Sequence, residues 1–113
     1  MVIDVYSQYF AGSCVYNGVE RRAVLVRLTS DSEAGQIRYT AGLSFFPHEN
    51  EEDYAISYDA AAERTLYEAK GRRSKKREAA LLEKELRPTL DALAAELGGA
   101  IDWERPLRDA RVG

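Results

Sequence analysis

One cysteine and one histidine, Cys14 and His48, are the residues of this chain best suited to nucleophilic catalysis. A cysteine beside an imidazole would form an activated nucleophile. His48 is followed by a run of carboxylates, however, and these favour the charged imidazolium, which is a poor general base. Because no motif joins the two residues, the sequence favours a structural cysteine and an exposed loop histidine, and it predicts a protein that is not an enzyme.

The acidic loop that follows His48 is the next candidate for chemistry. Clustered carboxylates can hold a hard cation, but this run lacks the spacing and the central glycine of an EF-hand loop. One cysteine and one histidine are too few for a structural zinc site, and no glycine-rich phosphate-binding motif occurs. We therefore predict no metal and no cofactor, and we interpret the loop as a partner-binding surface. Its carboxylates are Glu49, Glu51, Glu52 and Asp53.

The strongest charge feature is the segment 70–77, which holds six Lys or Arg residues and no Asp or Glu, in a chain with a net charge of −3. We call it the cationic segment. In a helix its charges would point in every direction, which indicates an exposed connection between two helices or a protruding helix end. Two functional interpretations stand beside that one: contact with nucleic-acid phosphates, or docking on an acidic protein surface, including that of a second copy. The basic side chains are Lys70, Arg72, Arg73, Lys75, Lys76 and Arg77.

Six of the seven tyrosines lie on or beside predicted strands. Cross-strand packing is the favoured interpretation for most of them, with Tyr39 as the expected core member. The alternative is a set of aromatic anchors for a partner, because an exposed tyrosine supplies contact area at little entropic cost. The candidate anchors are Tyr6, Tyr54 and Tyr58.

The elements that must position these side chains begin with strands. Residues 2–10 alternate with a period of two, and Asn17-Gly18 is a strong signal for a tight hairpin turn. Residues 23–26 are apolar on both faces and indicate a central strand. Residues 37–45 alternate cleanly, which predicts a strand with one buried face. Residues 54–58 are either a short fourth strand or an extended lead into a helix.

Two helices are expected after the strands. Asp59 is placed as an N-cap for a helix at about 60–70. Leucines spaced by four, four, three and four residues, from Leu82 to Leu97, predict a second helix at about 78–97. Pro88 falls inside that stripe without breaking its register, so we expect a kink there. Ile101, Trp103 and Leu107 are expected to pack back on the body, and residues 108–113 to form a loose tail.

Together these elements predict an α+β fold in one domain, 1–113. An antiparallel sheet of three to five strands, in the N-terminal half, carries both helices on one face. The composition, 45% hydrophobic and 31% charged, is that of a globular protein. No segment is long and apolar enough to span a bilayer, and the N-terminus has no signal-peptide pattern. We therefore expect a soluble, cytoplasmic protein.

The first functional hypothesis is a small non-enzymatic partner-binding protein, an adaptor or inhibitor that occupies the surface of another protein or nucleoprotein complex. In composition the chain resembles phage and mobile-element accessory proteins, among them anti-CRISPR inhibitors. The alternative is a nucleic-acid-binding accessory protein that contacts phosphates through the cationic segment. Blocks of opposite charge also indicate a homodimer as a separate hypothesis.

Overall fold

The computed structural model of the protein describes residues 1–47 and 60–107. In these residues the chain forms five strands and two helices. The strands are β1 (Val2–Tyr16), β2 (Val19–Glu33), β3 (Gln36–Phe46), β4 (Ala61–Lys70) and β5 (Gly99–Leu107), and the helices are α1 (Lys75–Lys84) and α2 (Leu86–Glu96).

The five strands form one antiparallel sheet in the order β4-β3-β2-β1-β5. The first four strands follow one another as neighbours, and β5 adds to the far edge beside β1. The two helices therefore carry the chain from one edge of the sheet to the other. The predicted fold class, an α+β protein with an antiparallel sheet and two helices, is confirmed.

The core lies between the helices and the face of the sheet that they cover. The alternation predicted for β3 is confirmed, because Ile37, Tyr39, Ala41, Leu43 and Phe45 are all at most 2% exposed. Buried helix residues complete the cluster, namely Leu81, Leu86, Leu90, Leu93 and Ala94. Burying each of these leucines contributes about 1.5–3 kcal/mol, so the leucine stripe is what attaches the helices to the sheet.

Two tight turns set the register of the first three strands. Asn17 and Gly18 have φ values of 52° and 74°, as the hairpin signal predicts. The β2–β3 turn repeats this geometry at Ala34 and Gly35, with φ values of 53° and 77°. Alanine in this left-handed conformation costs about 1–2 kcal/mol, so the eleven paired positions of β2 and β3 must hold the turn in place.

The helix predicted at about 60–70 is wrong, because these residues form the edge strand β4, paired with β3. The apolar spacing misled the prediction for a physical reason. The β3–β4 register shifts between Tyr39 and Thr40, which leaves one extra residue in β4. At this bulge Leu66 and Tyr67 are both half-buried. The half-buried apolar residues of β4 therefore do not alternate regularly, and their spacing resembles that of the buried face of a helix.

The single helix predicted at about 78–97 is two helices, and the break lies at Glu85 rather than at Pro88. Glu85 departs from regular helical geometry in φ, which is −116°, while its ψ of −29° stays in the helical region. A proline ring collides with the carbonyl four residues earlier, which for Pro88 is that of Lys84. Ending α1 at Lys84 removes the collision and places Pro88 in the first turn of α2, where a backbone N–H has no intrahelical partner to lose.

The C-terminal part packs back on the body as predicted, but it does so as a strand, β5. Ile101 and Trp103 pack against the core cluster, and Leu107 lies opposite Tyr9 of β1. The predicted strand at 54–58, the Asp59 cap and the tail at 108–113 lie outside the described residues.

Candidate binding surface: the cationic segment

The cationic segment connects β4 to α1, so the prediction that it links two helices is wrong. Lys70 ends the strand, and Lys75 begins the helix. Between them Gly71 adopts a φ of 133°, which favours glycine. Its N–H donates a hydrogen bond of 2.9 Å to the carbonyl of Gly35. The segment therefore lies against the β2–β3 turn at one end of the sheet.

Ser74 fixes the start of α1. Its backbone is extended, with φ −133° and ψ 119°, and its hydroxyl accepts a 3.3 Å hydrogen bond from the N–H of Arg77. A side-chain cap of this kind contributes about 1 kcal/mol to a helix. The N–H of Ser74 donates in turn to the phenol oxygen of Tyr39, at 3.2 Å, which ties the cap to the core strand β3.

A buried carboxylate anchors the segment from below. Glu78 is 6% exposed, and it accepts hydrogen bonds from Arg73 to both of its oxygens, at 2.9 and 3.1 Å. The Tyr39 hydroxyl donates a third bond, of 2.8 Å, to Oε2. Such bidentate pairs are among the strongest side-chain contacts. Arg73 is therefore committed to holding the segment in place.

This network shifts the protonation of its members. The hydrogen bond from Arg73 is the main cause that lowers the pKa of Glu78, against the opposing effect of burial. Burial is the main cause that raises the pKa of Tyr39. The network thus holds a carboxylate, a guanidinium and a neutral phenol at neutral pH.

A second basic side chain of the segment, that of Arg77, also contacts another part of the chain. The guanidinium of Arg77 lies 3.9 Å from the ring centroid of Tyr67 on β4, a cation–π contact that attaches the first turn of α1 to the edge strand. The four remaining basic side chains are exposed and form no ion pair with any residue in the two described stretches. These four are Lys70, Arg72, Lys75 and Lys76.

An acidic recess lies beside Lys70, the first of these four cations. It has a volume of about 180 Å³, and its charged lining residues are Asp31, Glu33, Arg38 and Glu68. Arg38 forms a salt bridge with Glu68, and Asp31 lies 3.5 Å from the amino group of Met1. Lys70 is directly opposite Gln36, another lining residue, in the β3–β4 register. Positive and negative surface therefore adjoin at this end of the sheet.

The sequence did not predict the recess. Arg38 lies on the strand predicted at 37–45, whereas Asp31 lies outside the predicted strands, on the part of β2 that extends beyond them. The two residues are opposite one another in the β2–β3 register. Glu68 lies opposite Arg38 only because β4 is a strand paired with β3. Since that stretch was predicted as a helix, the pattern held no signal for this neighbour.

The other predicted site residues are placed as follows. Tyr39 is fully buried, as expected, and Tyr6 is half-buried and packs against the core cluster. The acidic loop and the two remaining candidate anchors, Tyr54 and Tyr58, lie outside the described residues. Cys14 is buried, its thiol donates a 3.4 Å hydrogen bond to the carbonyl of Leu97, and burial raises its pKa.

In the part of the chain that the structure describes, no group of three or more Cys, His, Asp or Glu side chains is placed to hold a metal ion. Nor does that part contain a helix with the length and apolarity needed to cross a membrane.

The fold and this surface define the class of the protein. It is an α+β domain in which positive and negative surface adjoin at one end of the sheet. Comparison of the chain with protein-family models, with curated proteins and with solved structures finds no match.

Proposed function

We propose that this protein is a non-enzymatic partner-binding protein, an adaptor or inhibitor that occupies the surface of another macromolecule through the cationic segment. One observation carries the proposal. Four basic side chains without carboxylate partners in the described structure are grouped on backbone that three separate contacts hold: Gly71 to Gly35, Ser74 to Tyr39, and Arg73 to Glu78.

The anchoring is what makes this segment more than a solvated connection. Ordering a mobile loop on binding costs free energy, and a surface that is already held avoids much of that cost. The buried Glu78 forms its salt bridge with Arg73, while the four exposed cations form none with any described residue. Of the four, Lys75 lies close enough for its charge to help lower the pKa of Glu78. Grouped charges of this kind select partners and accelerate association.

A protein with an acidic surface is the favoured partner. The recess carboxylates adjoin the cations, so a polyanion that extended beyond the segment would meet like charge. A partner with a compact acidic cluster would not.

The test compares two variants with the same loss of charge. In the first, Lys70, Arg72, Lys75 and Lys76 become alanine. In the matched control, four exposed basic residues elsewhere become alanine, namely Arg22, Arg27, Lys84 and Arg105. Each protein is used to capture partners from an extract of the source cell, and bound proteins are quantified by mass spectrometry.

We expect a partner that the original protein and the control retain and that the first variant loses. Equal retention by all three proteins would contradict a role for the cationic segment, as would equal loss by both variants.

Nucleic acid is the second candidate, and the four exposed cations, two of which lie in the first turn of α1, favour it. A phosphate-contacting surface loses affinity steeply as salt rises. In that case a mobility shift with DNA or RNA at low salt would disappear in the first variant and persist in the control. Absence of any shift at low salt would remove this candidate.

A further inference from the structure

The end of the sheet formed by the cationic segment and the acidic recess carries both signs of charge side by side. The two parts are joined by the Gly71 to Gly35 hydrogen bond and by the pairing of Lys70 with Gln36. Within one copy, none of the segment's side chains forms an ion pair with Asp31, Glu33 or Glu68 in the described structure. The exposed cations of the segment and the carboxylate of Glu33 therefore have no ion-pair partner among the described residues.

A surface of this kind is complementary to itself. A two-fold rotation places the positive part of one copy against the negative part of the other, and the same contact forms twice. We propose that two copies of this chain associate about a two-fold axis at this end of the sheet, with the cationic segment of each facing the acidic recess of the other.

The recess fits such a contact in chemistry and in shape. It is open, it has a volume of about 180 Å³, and the exposed methyl group of Ala34 forms part of its lining. An apolar lining suits the aliphatic stem of a lysine or arginine whose charged head reaches the carboxylates. Glu33 is the carboxylate for which the described structure shows no salt bridge, so it is the principal partner for an incoming cation.

The recess lies on a surface that a second copy can reach. β4 is an edge strand of the sheet, and Glu33, Gln36, Glu68 and Lys70 are all exposed. Its bulge at Leu66 and its charged side chains disfavour direct strand-to-strand pairing at this edge. Contact through side chains is therefore favoured over a continuous ten-stranded sheet.

This inference uses the cationic segment of the proposed function, so a second copy and another partner would compete for the same cations. The association should be sensitive to salt, because exposed ion pairs are individually weak and are screened. Self-association would then hold the segment covered until a more acidic partner displaces the second copy.

The first measurement is sedimentation velocity of nuclease-treated protein across a range of concentrations. We expect a monomer–dimer equilibrium whose dissociation constant rises at least about tenfold between about 50 mM and about 500 mM NaCl. A monomer at all concentrations and both salt levels would overturn the inference.

The decisive measurement exchanges the charges. Replacing all four exposed cations of the segment by glutamate, as Lys70→Glu, Arg72→Glu, Lys75→Glu and Lys76→Glu, makes both parts of the surface acidic. Glu33→Lys with Gln36→Lys makes both parts basic. We expect each variant alone to be monomeric and an equimolar mixture of the two to form a heterodimer. Because each variant must be folded to bind the other, the mixture also controls for misfolding.

Two results would overturn the inference: association of either variant alone at the original level, or no association in the mixture of variants with intact circular dichroism spectra. If the mixture fails while capture of another protein still depends on the cationic segment, the two-fold contact is wrong and the proposed function stands. If association requires added nucleic acid, the two-fold contact is also wrong, and nucleic acid is the partner.

Discussion

At the scale of single residues, Glu78 has the largest effect on the candidate surface. It is a carboxylate in the first turn of α1, where the helix dipole favours negative charge, and it receives three hydrogen bonds from Arg73 and Tyr39. The sequence predicted the burial of Tyr39 from strand alternation. It gave no signal for Glu78, because a glutamate beside six cations is expected at the surface.

Replacing Glu78 by alanine should lower the free energy of unfolding by about 2 kcal/mol, since it leaves a fully buried phenol without its acceptor and an arginine without its partner. Urea denaturation of the variant measures this. The control is Glu83→Ala, an exposed glutamate on the same helix, which should cost less than about 0.5 kcal/mol. Equal effects at the two positions would contradict the anchoring role.

The stability of the network should depend on pH in a defined direction. The pKa of Glu78 is lowered from its ordinary value of 4.5, chiefly by the Arg73 hydrogen bond, so the folded protein favours the charged form. Its contribution is complete above that ordinary value and is lost as the pH falls through the lowered pKa.

The stability difference between the original protein and Glu78→Gln should accordingly be constant near neutral pH and shrink on acidification below about pH 4.5. Urea denaturation of both proteins at a series of pH values measures it. A difference that stays constant down to pH values where the fold is lost would show that the Glu78 charge does not stabilise the protein.

At the scale of elements, prediction succeeded where the pattern depends on local chemistry. The Asn17-Gly18 turn and the alternation of β3 are set by residues close in sequence, and the leucine stripe identified the buried face of α2. In α1 the buried leucine is Leu81, and Leu82 of the predicted stripe is half-buried. Prediction failed where the secondary structure of a segment depends on its pairing with a strand that is distant in sequence. Residues 61–70 have an alanine-rich, helix-compatible sequence, and the ladder with β3 overrides that preference.

A pair of proline substitutions distinguishes strand from helix in β4. The N–H of Phe45 donates to the carbonyl of Ala60, and antiparallel pairs alternate, so the N–H of Ala62 faces β3 and that of Ala61 faces the free edge. Ala62→Pro should therefore destabilise the protein by about 1–3 kcal/mol more than Ala61→Pro. Thermal and urea unfolding measure the difference. In a helix both positions would lie in the first turn, which tolerates proline, so equal and small effects would contradict the strand.

At the scale of the whole molecule, the fold brings together charged residues that are distant in sequence. The β2–β3 turn and the β4–α1 connection meet at one end of the sheet. Their contact places Lys70 beside the acidic recess and the rest of the cationic segment at the same end of the sheet. Sequence reasoning identified the cationic segment as the distinctive feature but not its neighbours, because the contact between Gly35 and Gly71 depends on the β3–β4 ladder. The proposed binding surface therefore belongs to the folded sheet rather than to the segment alone.

The lysines of the chain offer the most direct test that this surface binds a partner. There are four, and three of them, Lys70, Lys75 and Lys76, lie in the cationic segment, while Lys84 ends α1 outside it. The protein is treated briefly with an amine-acetylating reagent, alone and in source-cell extract, at a concentration low enough to keep the purified protein unassociated. Mass spectrometry then gives the acetylated fraction at each lysine. We expect the extract to reduce acetylation of the three segment lysines relative to that of Lys84, which also corrects for reagent consumed by the extract. An unchanged ratio of each segment lysine to Lys84 would contradict binding through the cationic segment.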